Sequence, residues 1–212
     1  MKKLLPAMLM SLLFVVACKK DDDKKDEGSN ATSKMSYNSI DYLTPNGFLE
    51  IYQTDSGGNY IDRDVTFTDF TKSEINSEGS FNNKSYAYLD LNNNLGTTEL
   101  EVGTYTFNEE RAPMTFVDAG FLGNVSYVEG NENVTVNEGG FTVDDFEEDL
   151  TGGSVTVTKS GSDFVIAYSV NFGEKVISGL YSGSLELIYN GNDSTNSVRP
   201  NTDFLFVKRD LK

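Results

Sequence analysis

Few side chains in this sequence are of the types that reactions at neutral pH usually draw on. The 212 residues include one cysteine, Cys18, and no histidine or tryptophan. That excludes Ser-His-Asp and Cys-His catalysis, together with ordinary zinc and haem sites. Lys159-Ser160-Gly161 has the form of a K-T-G element, but no Ser-x-x-Lys occurs to supply its nucleophile, so the tripeptide reads as a turn. Carboxylates remain. Glu99 and Glu101 on a strand would stand about 6.6 Å apart on one face, near the separation of an inverting glycosidase. Acidic residues alternating with Leu100 and Val102 are equally what a half-exposed strand looks like. Asp90-x-Asn92-x-Asn94 repeats the first ligand positions of a calcium loop, with Glu101 at the twelfth. The glycine is Gly96, one position late, and an Asn-rich hairpin turn accounts for the same letters. Asp90, Asn92 and Asn94 are therefore weak calcium candidates, as is the acidic run at 144–149. The expectation is a protein without catalytic residue, cofactor or resident metal, a carboxylate hydrolase being the remote alternative.

The thiol of Cys18 has a different use. It follows Val15-Val16-Ala17, at the end of a run that starts with Lys2 and Lys3 and continues through about 14 apolar residues. Such a run has the length of a signal-peptide core and is short of the roughly 20 residues that span a bilayer. Val15-Val16-Ala17-Cys18 resembles the lipobox of bacterial lipoproteins. The resemblance implies a signal peptide over 1–17, acylation of the Cys18 thiol and cleavage before it. Lys19, Lys20, Asp21, Asp22 and Asp23 follow directly and resemble the lysine-plus-acidic export signal of surface lipoproteins of the Bacteroidota. The implied address is the outer membrane with the domain at the cell surface; a periplasm-facing placement is the alternative. Residues 18–35 hold almost nothing apolar and read as a tether.

Removing residues 1–17 removes two lysines, which leaves 15 basic against 33 acidic residues. A chain so acidic is repelled by nucleic acid and by anionic lipid, so the expected partners are the membrane through the lipid, and a protein or a glycan. From about residue 36 the pattern becomes short alternating apolar runs between Gly, Asn and Asp. Strands are expected near 48–54, 60–68, 85–92, 98–107, 121–128, 155–159, 164–172, 176–189 and 204–208. The clearest is Phe164-x-Ile166-x-Tyr168-x-Val170-x-Phe172, a period of two with one buried face. Gly161-Ser162-Asp163 and Gly173-Glu174-Lys175 flank it as turns and make an antiparallel meander. After it, Gly179 and Gly183 bracket Tyr181 on one strand face and leave gaps that an aromatic ring can cover. Val143, Phe146 and Leu150 have helical spacing and predict two turns before Gly152-Gly153.

Tyr88-Leu89-Asp90-Leu91, Val102-Gly103-Thr104-Tyr105-Thr106-Phe107, Gly153-x-Val155-x-Val157 and Ile177-Ser178-Gly179-Leu180-Tyr181-Ser182-Gly183 together resemble small all-β lipoproteins of the Bacteroidota over most of residues 85–190. The resemblance implies location and fold, and carries no catalytic residues. The expected architecture is one all-β domain over 36–212, an antiparallel β-sandwich, with a closed lipocalin-like barrel as alternative. The expected function is a non-enzymatic binding or accessory module, with Tyr52, Tyr86 and Tyr88 offering ring faces to a ligand. A lipocalin-like carrier of a small apolar ligand is the second reading.

Overall fold

The computed structural model describes residues 32–52, 59–75, 79–130 and 134–190. Cys18, the run Lys19–Lys20–Asp21–Asp22–Asp23 and the strand expected near 204–208 lie outside them. Among the described residues no helix is long and apolar enough to cross a membrane.

The fold is all-β, as expected. Among the described residues twelve strands form one sheet: β1 (Lys34–Tyr37), β2 (Ile40–Leu43), β3 (Asn46–Ile51), β4 (Tyr60–Thr68), β5 (Phe81–Asn94), β6 (Gly103–Phe107), β7 (Thr115–Tyr127), β8 (Thr135–Thr142), β9 (Leu150–Ser160), β10 (Asp163–Phe172), β11 (Lys175–Gly183) and β12 (Leu185–Asn190). Their order is β12-β3-β4-β5-β7-β6-β9-β10-β11-β1-β2, with β8 pairing a second stretch of β7. Most pairs are antiparallel; β12 with β3 and β6 with β7 run parallel. The sheet curls into a half-barrel, and its two halves share one core. The architecture thus joins features of the sandwich and the barrel.

Strand period two sets that core. On β10 every second residue, Phe164, Ile166, Tyr168, Val170 and Phe172, is buried. Val65 and Phe67 of β4, Leu89 and Leu91 of β5, and Val155 and Val157 of β9 join them. Rings bridge the halves: Phe67 stacks on Tyr181 at 4.7 Å and on Tyr168 at 5.9 Å, and Phe121 stacks on Tyr168 at 5.8 Å. The glycines of β11 make room for this. Gly179 lies opposite Tyr168, and a Cβ on Gly179 would come within 2.2 Å of that ring. Tyr181 likewise lies over Gly47 of β3.

The meander β9-β10-β11 is as expected, with Gly161 and Gly173 in the left-handed region at its turns. Other expectations are corrected. The single strand expected over 176–189 breaks at Ser184, whose carbonyl accepts the Tyr181 hydroxyl proton at 2.5 Å. The break lets the chain leave β11 in one half and enter β12 beside β3 in the other. The helix expected around Val143 and Phe146 is one 3-10 turn, Val143–Asp145, capped by Thr142; its apolar residues pack on the core rim. The hairpin β1–β2, joined by Asn38 and Ser39 at positive φ, was not expected, and neither was β8. A one-turn helix, α1 (Lys72–Ile75), is also new; Thr71 and Glu74 cap it reciprocally.

A filled interior makes a definite demand on Ile166, which is fully buried. Ile166→Ala should cost about 2–5 kcal/mol because its cavity cannot collapse completely. Val102→Ala, at an exposed position, should change stability by about 0.5 kcal/mol or less. Denaturant unfolding of both variants checks this. A cost below about 1 kcal/mol at Ile166 would mean an open, ligand-sized interior.

Candidate functional site

The outer face of β3-β4-β5 carries an unusual row. The register places Glu50 of β3 opposite Asp64 of β4, Asp64 opposite Asp90 of β5, and Asp90 opposite Asp118 of β7. Asp62 stands two residues before Asp64 on the same face, opposite Asn92. Outer faces of sheets are ordinarily solvated, yet Glu50, Asp64 and Asp90 are only 4%, 7% and 5% exposed. Carboxylate oxygens of Asp62, Asp64 and Asp90 lie within 4.8 Å of one another.

Among the described residues one cation, Arg111, meets them. Arg111, from the loop between β6 and β7, donates from Nη2 to Asp90 Oδ2 at 2.6 Å and from Nη1 to Asp90 Oδ1 at 3.2 Å. Nη1 also reaches Asp62 Oδ2 at 3.1 Å, and the guanidinium lies over the Tyr60 ring. Asp62 Oδ1 and Asp64 Oδ1 are buried with no hydrogen-bond partner. The electrostatics follow from this arrangement. Burial, then the charges of Asp90, Asp62 and Glu50, push the Asp64 carboxyl well above the ordinary carboxylate range. Burial and Asp62 push Asp90 up to about 7, although Arg111 pulls the other way. The Tyr88 phenol is raised by burial and by Asp64 and Asp90.

The second feature is a cleft of about 520 Å³ at the open rim of the half-barrel. Phe107, Phe146 and Phe172 contribute rings, and Asp118, Asp144, Glu148 and Asp149 contribute carboxylates. Lys175 already uses this chemistry: its ammonium pairs with Glu148 and sits 5.0 Å from the centre of the Phe146 ring.

The expected site residues distribute differently. Tyr86 and Tyr88, 2% and 8% exposed, are buried in a second apolar cluster with Phe48, Phe70, Ile75 and Leu122, which corrects their reading as ligand contacts. Tyr52 packs in a tilted arrangement against Tyr189, ring centroids 5.2 Å apart, and its hydroxyl donates to Glu50. Asp90, Asn92 and Asn94 do not form a calcium loop, because all three belong to the long strand β5. Asn94 bonds Glu101, and Asn92 bonds Thr115. Of the three, Asp90 alone joins the carboxylate cluster. Glu99 and Glu101 are not a strand pair either: the strand expected from residue 98 begins at Gly103, and residues 95–102 fold as a loop. Leu100 plugs that loop into the core, while Glu99 pairs with Lys159. Asp62, Asp64 and Arg111 were missed. The signal for the first two was the run Asp62-Arg63-Asp64, two acids on one strand face.

No family model, curated protein or solved structure matches the chain.

Proton linkage can be checked here. Asp64 and Asp90 hold protons more tightly folded than unfolded. Between the ordinary carboxylate value and about 7 the folded chain therefore binds the larger number, and stability falls as pH rises through that window. In chelating buffer the denaturation midpoint should drop from pH 5 to pH 8. Asp64→Asn, which removes one of the mutually repelling charges, should flatten that slope. An unchanged slope in the variant would place the linkage elsewhere.

Proposed function

We propose that the protein is a lipid-anchored, non-enzymatic binding module of a bacterial outer membrane, exposed at the cell surface. In this reading the rim cleft takes a cationic, partly apolar segment of a partner protein. The observation that carries it is the cleft itself: three phenylalanines and four carboxylates line it, and Lys175 beside it pairs with Glu148 over the Phe146 ring. A cation over a ring contributes about 0.5–1 kcal/mol at exposed sites and more when desolvated. An acidic surface also steers a basic partner towards it. The filled interior favours contact at the rim over carriage of a small apolar ligand inside. The absence of tryptophan disfavours a sugar platform. Anchorage and address rest on Val15-Val16-Ala17-Cys18 and on the Lys-Lys-Asp-Asp-Asp run after it. Firm attachment requires more than one acyl chain.

Two measurements test this. Cells carrying Cys18→Ala and fed an alkyne fatty acid should show no label on the protein, which should leave the membrane fraction. Persistent labelling would remove the anchor from the account. For the cleft, a fluorescent peptide alternating lysine and phenylalanine should bind the full chain in an anisotropy titration and weaken with salt. Its glutamate counterpart should not bind. Asp149→Lys, at the exposed rim, should weaken the lysine peptide by about tenfold or more. Equal binding of both peptides, or indifference to Asp149→Lys, would overturn the cleft reading.

A further inference from the structure

The carboxylate cluster on β4 and β5 poses a problem that the cleft does not solve. Three carboxylates, Asp62, Asp64 and Asp90, face one guanidinium, so two negative charges are left over when all are ionised. Buried charge is ordinarily neutralised by a partner or a bound ion. Crowded acids alone are no site, because a shared proton relieves them. A separate observation points to a ligand. Asp64 is 93% buried by its 7% exposure, and although its carboxylate takes a hydrogen bond from Tyr88, its Oδ1 is buried without any hydrogen-bond partner. Asp62 Oδ1 is in the same condition. A buried acceptor left without a donor destabilises the fold, and more so when it is charged. The two belong to residues two apart on one face of β4.

We infer that Asp62, Asp64 and Asp90 bind one hard divalent cation of calcium size on the outer face of the sheet. The geometry fits such an ion. Carboxylate oxygens on opposite sides of calcium stand about 4.6–5.2 Å apart, since each bond is about 2.3–2.6 Å. The three residues offer oxygens within 4.8 Å of one another. Magnesium, with bonds of about 2.0–2.1 Å, demands tighter and more regular octahedral spacing. The donor set is carboxylate throughout, with the amide oxygen of Asn92 at the edge, which suits calcium and excludes a preference for soft metals. Two residues on β4 and one on the adjoining β5 hold these oxygens from paired strands, so the spacing does not depend on a mobile loop. Arg111 is the group that yields. Its side chain is 38% exposed, it comes from a loop, and swinging outward frees Asp90 Oδ1 and Asp62 Oδ2 for the ion. None of the three ligands lines the cleft, although Asp118 opposite Asp90 does, and either site can stand without the other.

The test uses the full chain in detergent, stripped with chelator, and calcium chloride alone as titrant. Calorimetry should find one calcium ion per chain in this site, and thermal unfolding should shift up by several degrees in millimolar calcium. Asp64→Asn should lose both the ion and the shift while unfolding no lower than the wild type in chelator, because it also removes repulsion. Asp62→Asn, at a less buried position, is the second variant should Asp64→Asn not fold. Asp144→Asn combined with Asp149→Asn serves as control and should bind as the wild type does. If calcium, magnesium and manganese all leave the wild-type unfolding temperature unchanged, the inference falls, and a shared proton is what relieves the cluster. It falls equally if Asp62→Asn and Asp64→Asn bind calcium like the wild type, since the ion would then sit elsewhere.

Discussion

A single sheet that curls on itself must fill its own hollow, and here the rings of Phe67, Tyr168, Tyr181 and Phe121 do that. Each belongs to a strand that pairs elsewhere in the sheet. Stacking between them is what joins β4 and β7 in one half to β10 and β11 in the other. Aromatic pairs add about 0.5–1.5 kcal/mol beyond the area they bury. The larger effect is geometric. Rings of this size fit only where a neighbouring strand has no side chain: Gly179, on the strand paired with that of Tyr168, and Gly47, on β3 in the other half from Tyr181, supply those gaps. The curl, the position of β12 beside β3 and the break at Ser184 all follow from bringing Tyr181 onto Phe67. One cost stays visible: the Tyr168 hydroxyl is buried without a partner, and burial raises its pKa far above the ordinary phenol value.

Much of this was legible from period two. β4 has the bounds that alternation predicts, and β10 extends its prediction by one residue; the ring-over-glycine arrangement was readable from Gly179-x-Tyr181-x-Gly183. What escaped has specific causes. β8 contains Asn137, Glu138, Gly139 and Gly140, residues depleted in strands, and is a strand because it lies against β7. Gly140 is needed there, since a Cβ would come within 2.6 Å of two carbonyl oxygens of the neighbouring strand. The β1–β2 hairpin turns on Asn-Ser instead of Asn-Gly and so lacks the strongest short-range signal. Thr98 to Val102 alternate like a strand but bend back, because Arg63, buried on the inner face, donates to the Thr97 carbonyl, and Asn93 donates to that of Glu99. Tertiary hydrogen bonds there outweigh local pattern.

The tyrosines show the same limit from the other side. Tyr86 and Tyr88 share a strand face, and alternation with Ala87 and Leu89 assigns them correctly to the outside of the sheet. Alternation cannot say that this outside is itself covered. Phe48, Phe70, Ile75, Phe81, Leu122 and Val125 gather there as a second apolar cluster, and the two tyrosines are part of it. Period two distinguishes two faces of a strand. It does not distinguish solvent from a second core. The rim phenylalanines were also hidden, because Phe107, Phe146 and Phe172 come from three elements separated by long stretches of chain.

That argument bears most heavily on Asp62, Arg63 and Asp64. Three adjacent charges in a strand normally signal its solvated end, and a pattern reader assigns them no energy. In this fold Arg63 turns inward, where it is 1% exposed, and its neighbours turn to the covered outer face. Both faces of β4 therefore carry buried charge within one residue of each other. Cross-strand pairing fixes the consequence. Once β4 aligns with β5 so that Val65 meets Leu89 and Phe67 meets Ala87 in the core, Asp64 must meet Asp90. A slip of one residue would relieve the acids and turn the whole apolar set outward, which costs far more than a strained carboxylate pair. Hydrophobic register thus holds the carboxylates together against their own repulsion. Groups held in that way are ready to bind a proton or a cation, because the folding of the rest of the sheet has already met the cost of assembling them.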